Sequence, residues 1–101
     1  MFGLLEKDID YITQAIKNFD EIDCAIIFGS RAMGNYKKGS DVDIALVGEK
    51  ISKDVIAQLN ELLNETYPLP YFFDIVNYSE ISNIELKKHI DMLGIVIYKK
   101  S

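Results

Sequence analysis

Hydrophobic and polar residues recur along the chain in two periods, one typical of helices and one typical of strands. Between residues 4 and 19, apolar residues recur at steps of three and four, which predicts one amphipathic helix. A continuous apolar run over Cys24–Phe28 (CAIIF) is typical of a buried strand. Residues 29–40 (GSRAMGNYKKGS) have no long apolar run, which predicts a tight turn, one helical turn and a loop. The apolar stripe of the first helix is formed by Leu5, Ile9, Ile12, Ile16 and Phe19.

The same alternation continues through the second half of the chain. Strands are predicted over residues 41–47, 71–76 and 95–98, and helices over residues 53–64 and 82–94. Ser52 has the residue type and position of an N-cap for the first of these helices. The segment SNIE at residues 82–85 has the form of a capping box for the second. Alternating helices and strands indicate the α/β fold class, with one sheet on which helices pack.

Length and composition limit the classes of protein that fit. The 101 residues are 49% hydrophobic and 27% charged, which predicts one folded domain over residues 1–101 with a modest core. The net charge of -5 argues against a nucleic-acid partner, because such binders normally present a basic face. Cys24 is the only cysteine and cannot form an internal disulfide, which favours a reducing cytoplasm. No apolar segment approaches the ~20 residues of a membrane span, and the first ten residues lack the pattern of a signal peptide.

Two aspartates stand one residue apart in the predicted second strand. Because side chains alternate across a strand, Asp41 and Asp43 point to one face. Two adjacent carboxylates repel each other unless a cation lies between them, and hard oxygen ligands at this spacing suit Mg²⁺. The alternative is that both lie in water at the frayed start of the strand, which is the commoner case for Asp-x-Asp alone. The opposite face is a predicted core face and carries Val42, Ile44 and Leu46.

A third aspartate lies in the predicted third strand. Asp74 alternates with Phe72 and Val76, so it is a lone acid on an otherwise apolar strand face. An unpaired buried carboxylate is costly, and a metal ion on a neighbouring strand would remove that cost. The alternative is a solvent-facing position on an edge strand.

The Gly-Ser pair after the first strand is a candidate anion site. Gly29 lets the backbone turn sharply and approach a ligand closely. If a helical turn begins at Ser30, its free N–H groups and hydroxyl can bind an anion, and Arg31, Lys37 and Lys38 can add positive charge. The alternative is an ordinary helix cap. The pair is not part of a Walker loop, because the chain has no G-x-x-x-x-G-K-[ST] segment.

Together these features match the needs of phosphoryl transfer, in which acids clamp metal ions and backbone donors hold phosphates. The segment GSRAMGNYKKGSDVDIAL resembles the signature of the nucleotidyltransferase superfamily related to DNA polymerase beta. It is most similar to the minimal nucleotidyltransferases, which carry Gly-Ser, a spacer, Asp-x-Asp and a third acid on a later strand. The matching positions here are Gly29, Ser30, Asp41, Asp43 and Asp74.

This resemblance implies a polymerase-beta-like palm core, a mixed sheet with helices on it. It implies that Gly29 and Ser30 hold the β and γ phosphates of ATP or another nucleoside triphosphate. Asp41 and Asp43 would bind two Mg²⁺ ions, and Asp74 would bind the catalytic ion and help to deprotonate an acceptor hydroxyl. Pyrophosphate would leave. Many members carry an arginine at the position of Met33, a departure that concerns only phosphate or partner contacts.

The resemblance also implies a partner. Small members often pair with a helical protein of the HEPN or nucleotidyltransferase-substrate-binding type, in some cases as the antitoxin that adenylylates a toxin. The predicted core uses almost all of the chain and leaves few residues to bind an acceptor, which favours a partner in a homo- or hetero-oligomer. Because the net charge is -5, we expect a polypeptide acceptor rather than a nucleic acid. Two alternatives are a weak or inactive module that acts by binding the helical partner, and a simple cation site. His89 is expected to be a surface residue and Cys24 a small core residue.

Overall fold

The computed structural model describes residues 2–37 and 39–101, in which helices and strands alternate as the sequence predicts. None of the helices in these ranges is both long and apolar enough to span a bilayer. A π-helical turn over Leu62–Thr66 continues the third helix, and a 3₁₀ turn over Tyr78–Glu80 follows the third strand. The elements are α1 (Glu6–Lys17), β1 (Cys24–Phe28), α2 (Ser30–Met33), β2 (Val42–Val47), α3 (Lys53–Glu61), β3 (Phe73–Asn77), α4 (Ile84–Leu93) and β4 (Ile95–Lys99).

The four strands form one mixed sheet in the order β3-β2-β1-β4. Strand β1 pairs antiparallel with both β2 and β4, whereas β2 pairs parallel with β3. The mixed sheet implied by the resemblance is therefore confirmed. Because β3 and β4 are the edge strands, residues of β3 have β2 on one side and no strand on the other.

Helices cover the two faces of this sheet. Helices α1 and α3 pack on one face against a large apolar cluster, to which β2 contributes Val42, Ile44 and Leu46, all fully buried. Helix α4 packs on the other face, where its Ile90 contacts Phe28 and Ala45. The predicted core face of β2 is confirmed, and the opposite face, which carries Asp43, is the one that α4 shares.

The first helix starts later than its apolar periodicity predicts. Leu5 precedes α1 and is 59% exposed, whereas Leu4 is buried, so the placement of Leu5 in the apolar stripe is wrong. The buried carboxylate of Asp8 accepts hydrogen bonds from the Leu5 N–H at 3.0 Å and from the Tyr71 hydroxyl at 2.9 Å. This carboxylate satisfies the first backbone donor and sets the start of the helix.

Helix α3 begins as predicted and ends differently. The Ser52 hydroxyl accepts a hydrogen bond from the Val55 N–H at 3.2 Å, which confirms the predicted N-cap. Regular α-helix stops at Glu61, and Asn64 in the following π turn bonds both the N–H and the carbonyl of Phe73. This pair of hydrogen bonds joins the end of the helix to Phe73, the first residue of β3. The strand thus starts two residues later than predicted.

Helix α4 uses a different cap from the predicted one. The side chain of Asn83, not of Ser82, accepts a hydrogen bond from the Leu86 N–H at 3.2 Å. Asparagine and serine are both good caps, so residue type alone does not distinguish the two neighbours.

Candidate active site

The pairing of β2 with β3 brings two of the three predicted acids together. Asp43 and Asp74 are register partners in the parallel pair, and residues side by side on adjacent strands point to the same face. Asp43 is half-buried, whereas Asp74 is exposed on the edge strand. Asp41 is also exposed and lies just before β2, so its side chain is the one of the three that the sheet does not hold.

Crowded negative charge is the main electrostatic feature of this face. Burial is the largest cause that raises the pKa of the Asp43 carboxyl above its usual value, followed by repulsion from Asp74 and Asp41. Because these three carboxylates repel one another, a cation bound between them would be electrostatically favourable.

The donor chemistry fits magnesium, although the ligand cage is not closed. Carboxylate oxygens are the ligands that Mg²⁺ prefers, often one or two of them together with substrate phosphates. Within residues 2–37 and 39–101, no three acidic, histidine or cysteine side chains already surround one point as metal ligands would. The pair that the backbone does hold, Asp43 and Asp74, matches the one or two protein carboxylates that such a site needs.

Gly29 lies directly on the Asp43 carboxylate. Its φ of 75° and ψ of -153° belong to a region that is essentially limited to glycine. A Cβ atom at this position would overlap Asp43 Oδ2. Both the backbone conformation and the close approach therefore require the absence of a side chain at the end of β1.

The predicted helical turn after Gly29 is confirmed. Helix α2 is a single turn over Ser30–Met33, capped by Gly34 with a φ of 82°. Ser30 is half-buried and directly follows Gly29, which lies on the Asp43 carboxylate. Of the two lysines expected to add positive charge, Lys37 is exposed, and Lys38 lies outside the described residues. In the described part of the loop, no lysine side chain is therefore held against the carboxylates of Asp41, Asp43 and Asp74.

Arg31 has a structural environment rather than the anion-facing one expected. Its side chain is 3% exposed and donates hydrogen bonds to the Ser40 carbonyl at 2.8 and 3.2 Å and to the Phe2 carbonyl at 2.9 Å. The guanidinium lies 5.1 Å from the Tyr36 ring centre and 5.0 Å from that of Tyr71. Because these contacts use most of its donors, Arg31 anchors the loop that leads to Asp41.

This anchor predicts a large stability effect. Arg31→Ala leaves the half-buried carbonyls of Phe2 and Ser40 without their donors and opens the space that the buried side chain fills, so it is expected to lower the free energy of unfolding by about 2–4 kcal/mol. Urea unfolding followed by circular dichroism measures the change. Lys37→Ala, in the same loop but exposed, is the control and is expected to stay within about 0.5 kcal/mol of the parent chain. Equal stability of the two variants would contradict the anchoring role.

His89 is the residue of this region that the sequence analysis missed. Its Nε2 atom accepts a hydrogen bond from the Gly29 N–H at 2.9 Å, and its ring meets Phe28 edge-on with centres 6.2 Å apart. His89 is half-buried, so the prediction of a surface histidine holds only in part. The contact joins residues 60 positions apart, and its one local signal is that His89 directly precedes the buried Ile90.

Known structures share this fold. A chain from a crystal structure of a toxin–antitoxin with AMP-PNP superposes with a TM-score of 0.72 at 20% identity, covering 97% of this chain and 76% of that one. A complex of a tri-AMPylated HEPN toxin with an MNT antitoxin from Shewanella oneidensis gives 0.69 at 16% identity, covering 94% and 72%. A protein from Sulfolobus solfataricus, assigned as a nucleotidyltransferase, gives 0.57 at 18% identity, covering 91% and 77%. At these identities the likeness shows the fold.

A family model decides the class of the protein. Comparison with curated protein sequences found no match. The model described as polymerase beta, nucleotidyltransferase matches residues 10–101, which is nearly the whole chain and includes every predicted acid and the Gly-Ser turn. The chain therefore belongs to the polymerase beta nucleotidyltransferase family.

Proposed function

We propose that the protein is a Mg²⁺-dependent nucleotidyltransferase that transfers AMP from ATP to a hydroxyl group. The observation that carries this proposal is the placement of Asp43 beside Asp74, with the Gly29 backbone packed on Asp43. Family membership supports the reaction class. The metal, the nucleotide and the acceptor are the parts that we add.

Each residue has a distinct role in the proposed reaction. Asp41, Asp43 and Asp74 would hold two Mg²⁺ ions, which when bound neutralise triphosphate charge and make an acceptor hydroxyl more acidic. Gly29 would let the triphosphate approach the backbone, and Ser30 would donate its N–H and hydroxyl to the β and γ phosphates. Asp74, exposed on an edge strand, is open to an acceptor from outside the chain.

The bonds balance as in any nucleotidyl transfer. The acceptor oxygen forms a bond to the α-phosphorus, and the bond from that phosphorus to the oxygen bridging to the β-phosphate breaks. Pyrophosphate leaves with those electrons, and the hydroxyl proton passes to a carboxylate or to water. Holding the two reactants in line is the main contribution expected of the protein.

We propose a small helical protein, of the HEPN or nucleotidyltransferase-substrate-binding type, as the partner and acceptor. Two of the similar structures contain toxin–antitoxin systems, and one of these contains an AMPylated HEPN toxin with an MNT antitoxin. The net charge of -5 disfavours a nucleic-acid acceptor. We place the reaction in the cytoplasm, with residues 1–101 acting as one catalytic domain.

Labelled ATP tests the proposal directly. The protein is incubated with Mg²⁺, the product of the neighbouring gene and ATP labelled at either the α or the γ phosphate. Label from the α position is expected on the partner, and label from the γ position is expected in pyrophosphate. Label from the γ position on the partner would indicate a kinase and contradict the proposal.

The alternative function is a weak or inactive module that acts by binding the helical partner. Such a module would form a stable complex with the helical partner and leave no label on it from either form of ATP.

A further inference from the structure

We propose that His89 is a positioning residue that fixes the Gly29–Ser30 turn against Asp43 by accepting the Gly29 N–H. The inference rests on the proposed function, because it takes this turn as the one that receives the triphosphate. It assigns a role to a residue of α4, which lies outside the Gly-Ser and Asp-x-Asp motifs.

The hydrogen bond defines the state of the ring. The Gly29 N–H donates to His89 Nε2 at 2.9 Å, within the range of an ordinary N–H donor bond. A lone pair is available at Nε2 only in the neutral ring that carries its hydrogen on Nδ1. The Gly29 amide is therefore engaged within the protein, which makes it a structural donor rather than a ligand of phosphate.

The turn is held from two sides. On one side the Gly29 α-carbon lies against the Asp43 carboxylate, close enough that a Cβ atom would overlap Oδ2. On the other side the His89 ring holds the Gly29 amide. A peptide fixed at both places cannot rotate without losing a hydrogen bond, so Ser30 keeps a constant position relative to Asp43.

Packing fixes the ring itself. Ile90, the next residue of α4, is 2% exposed and packs against Phe28 and Ala45. The His89 ring also contacts the Phe28 ring edge-on, at an angle of 73°. These apolar contacts hold α4 on β1 and place the His89 ring at Gly29 before any nucleotide binds. Nucleotide binding therefore does not have to order the His89 side chain, which lowers the entropy cost of binding.

Two substitutions at one position separate the hydrogen bond from the bulk of the ring. His89→Leu keeps an apolar contact with Phe28 but has no acceptor, whereas His89→Gln has a carbonyl oxygen that can reach the Gly29 amide. Lys88→Gln, on the exposed face of the same helix, is the control. Should the leucine variant fail to fold, His89→Asn, whose amide is too short to reach Gly29, takes its place.

Three measurements are made on the full chain. Hydrogen exchange of the Gly29 amide is followed by NMR without nucleotide, and binding of α,β-methylene-ATP with Mg²⁺ is measured by calorimetry. Transfer from α-labelled ATP to the neighbouring gene's product gives kcat and KM. For His89→Leu we expect fast exchange at Gly29 and a fall in kcat/KM of about 10- to 100-fold, mostly in the KM for ATP. His89→Gln is expected to restore slow exchange and most of the transfer.

The outcomes divide cleanly. Unchanged Gly29 exchange in His89→Leu, or unchanged nucleotide affinity, would overturn the positioning role. Loss of transfer in both variants with slow exchange retained would also overturn it, because the imidazole would then act in the chemistry itself. Absence of transfer in the parent chain would remove the proposed function alone, since amide exchange and analogue binding still decide the role of His89.

Discussion

Asp43→Asn is expected to abolish nucleotidyl transfer while the fold is kept and its thermal stability rises. The substitution preserves the shape of the side chain and removes one of the two carboxylates that the sheet holds side by side. It also removes a charge that burial and the neighbouring acids Asp74 and Asp41 make unfavourable. Without a bound cation, the repulsion among these carboxylates is expected to destabilise the folded chain. Removing one of them is therefore expected to raise stability while it lowers activity.

The dependence on pH has a definite sign. Because the pKa of Asp43 is raised above its usual 3.8 in the folded chain, the folded state binds this proton more tightly than the unfolded state. The stabilisation that results is complete below pH 3.8 and is lost as the pH rises through the folded value. The Tm of Asp43→Asn should therefore exceed that of the parent chain by an amount that grows over this interval and then levels off.

Thermal melts at several pH values, with and without Mg²⁺, test both parts. Mg²⁺ is expected to raise the Tm of the parent chain and to have a smaller effect on Asp43→Asn. Asp10→Asn is the control, because Asp10 is exposed on α1, the helix that packs on the opposite face of the sheet. Transfer retained by Asp43→Asn, or a Tm below that of the parent, would contradict the metal-binding role.

Gly29→Ala is expected to cause the second large loss. The conformation at Gly29 costs a residue with a side chain about 1–3 kcal/mol, and the added methyl group must displace the Asp43 carboxylate. We expect the free energy of unfolding to fall by about that amount, and transfer to fall by about 100-fold or more because a carboxylate of the proposed metal site is moved. Urea unfolding and the assay with α-labelled ATP measure the two effects.

Gly34→Ala separates strain from displacement. Gly34 also has a positive φ, of 82°, but a Cβ atom there has nothing within 4 Å. This variant is expected to lose about 1 kcal/mol of stability from the left-handed conformation and to keep most of the transfer activity. If both alanine variants lost activity equally, the contact between Gly29 and Asp43 would not be the cause.

Local features of the protein followed from its sequence. The apolar run of β1 has the predicted limits, Cys24–Phe28, because a continuous apolar segment bounded by polar residues leaves little choice of length. Alternation along β2 correctly placed Val42, Ile44 and Leu46 in the core, and Ser52 caps α3. Such features depend on residues a few positions apart, whose geometry the helix or strand itself sets.

The site needed contacts that no local pattern encodes. The register of β2 on β3 places Asp74 beside Asp43, and the seat of α4 on the sheet brings His89 to Gly29. Arg31 was expected to bind an anion, but its side chain is buried and donates hydrogen bonds to the Phe2 and Ser40 carbonyls, so it anchors the loop instead. The sequence by itself determined which acids are present and which way Asp43 and Asp74 face along their strands. Only the tertiary structure decided which of them meet, because strand register and helix packing are set by the whole core.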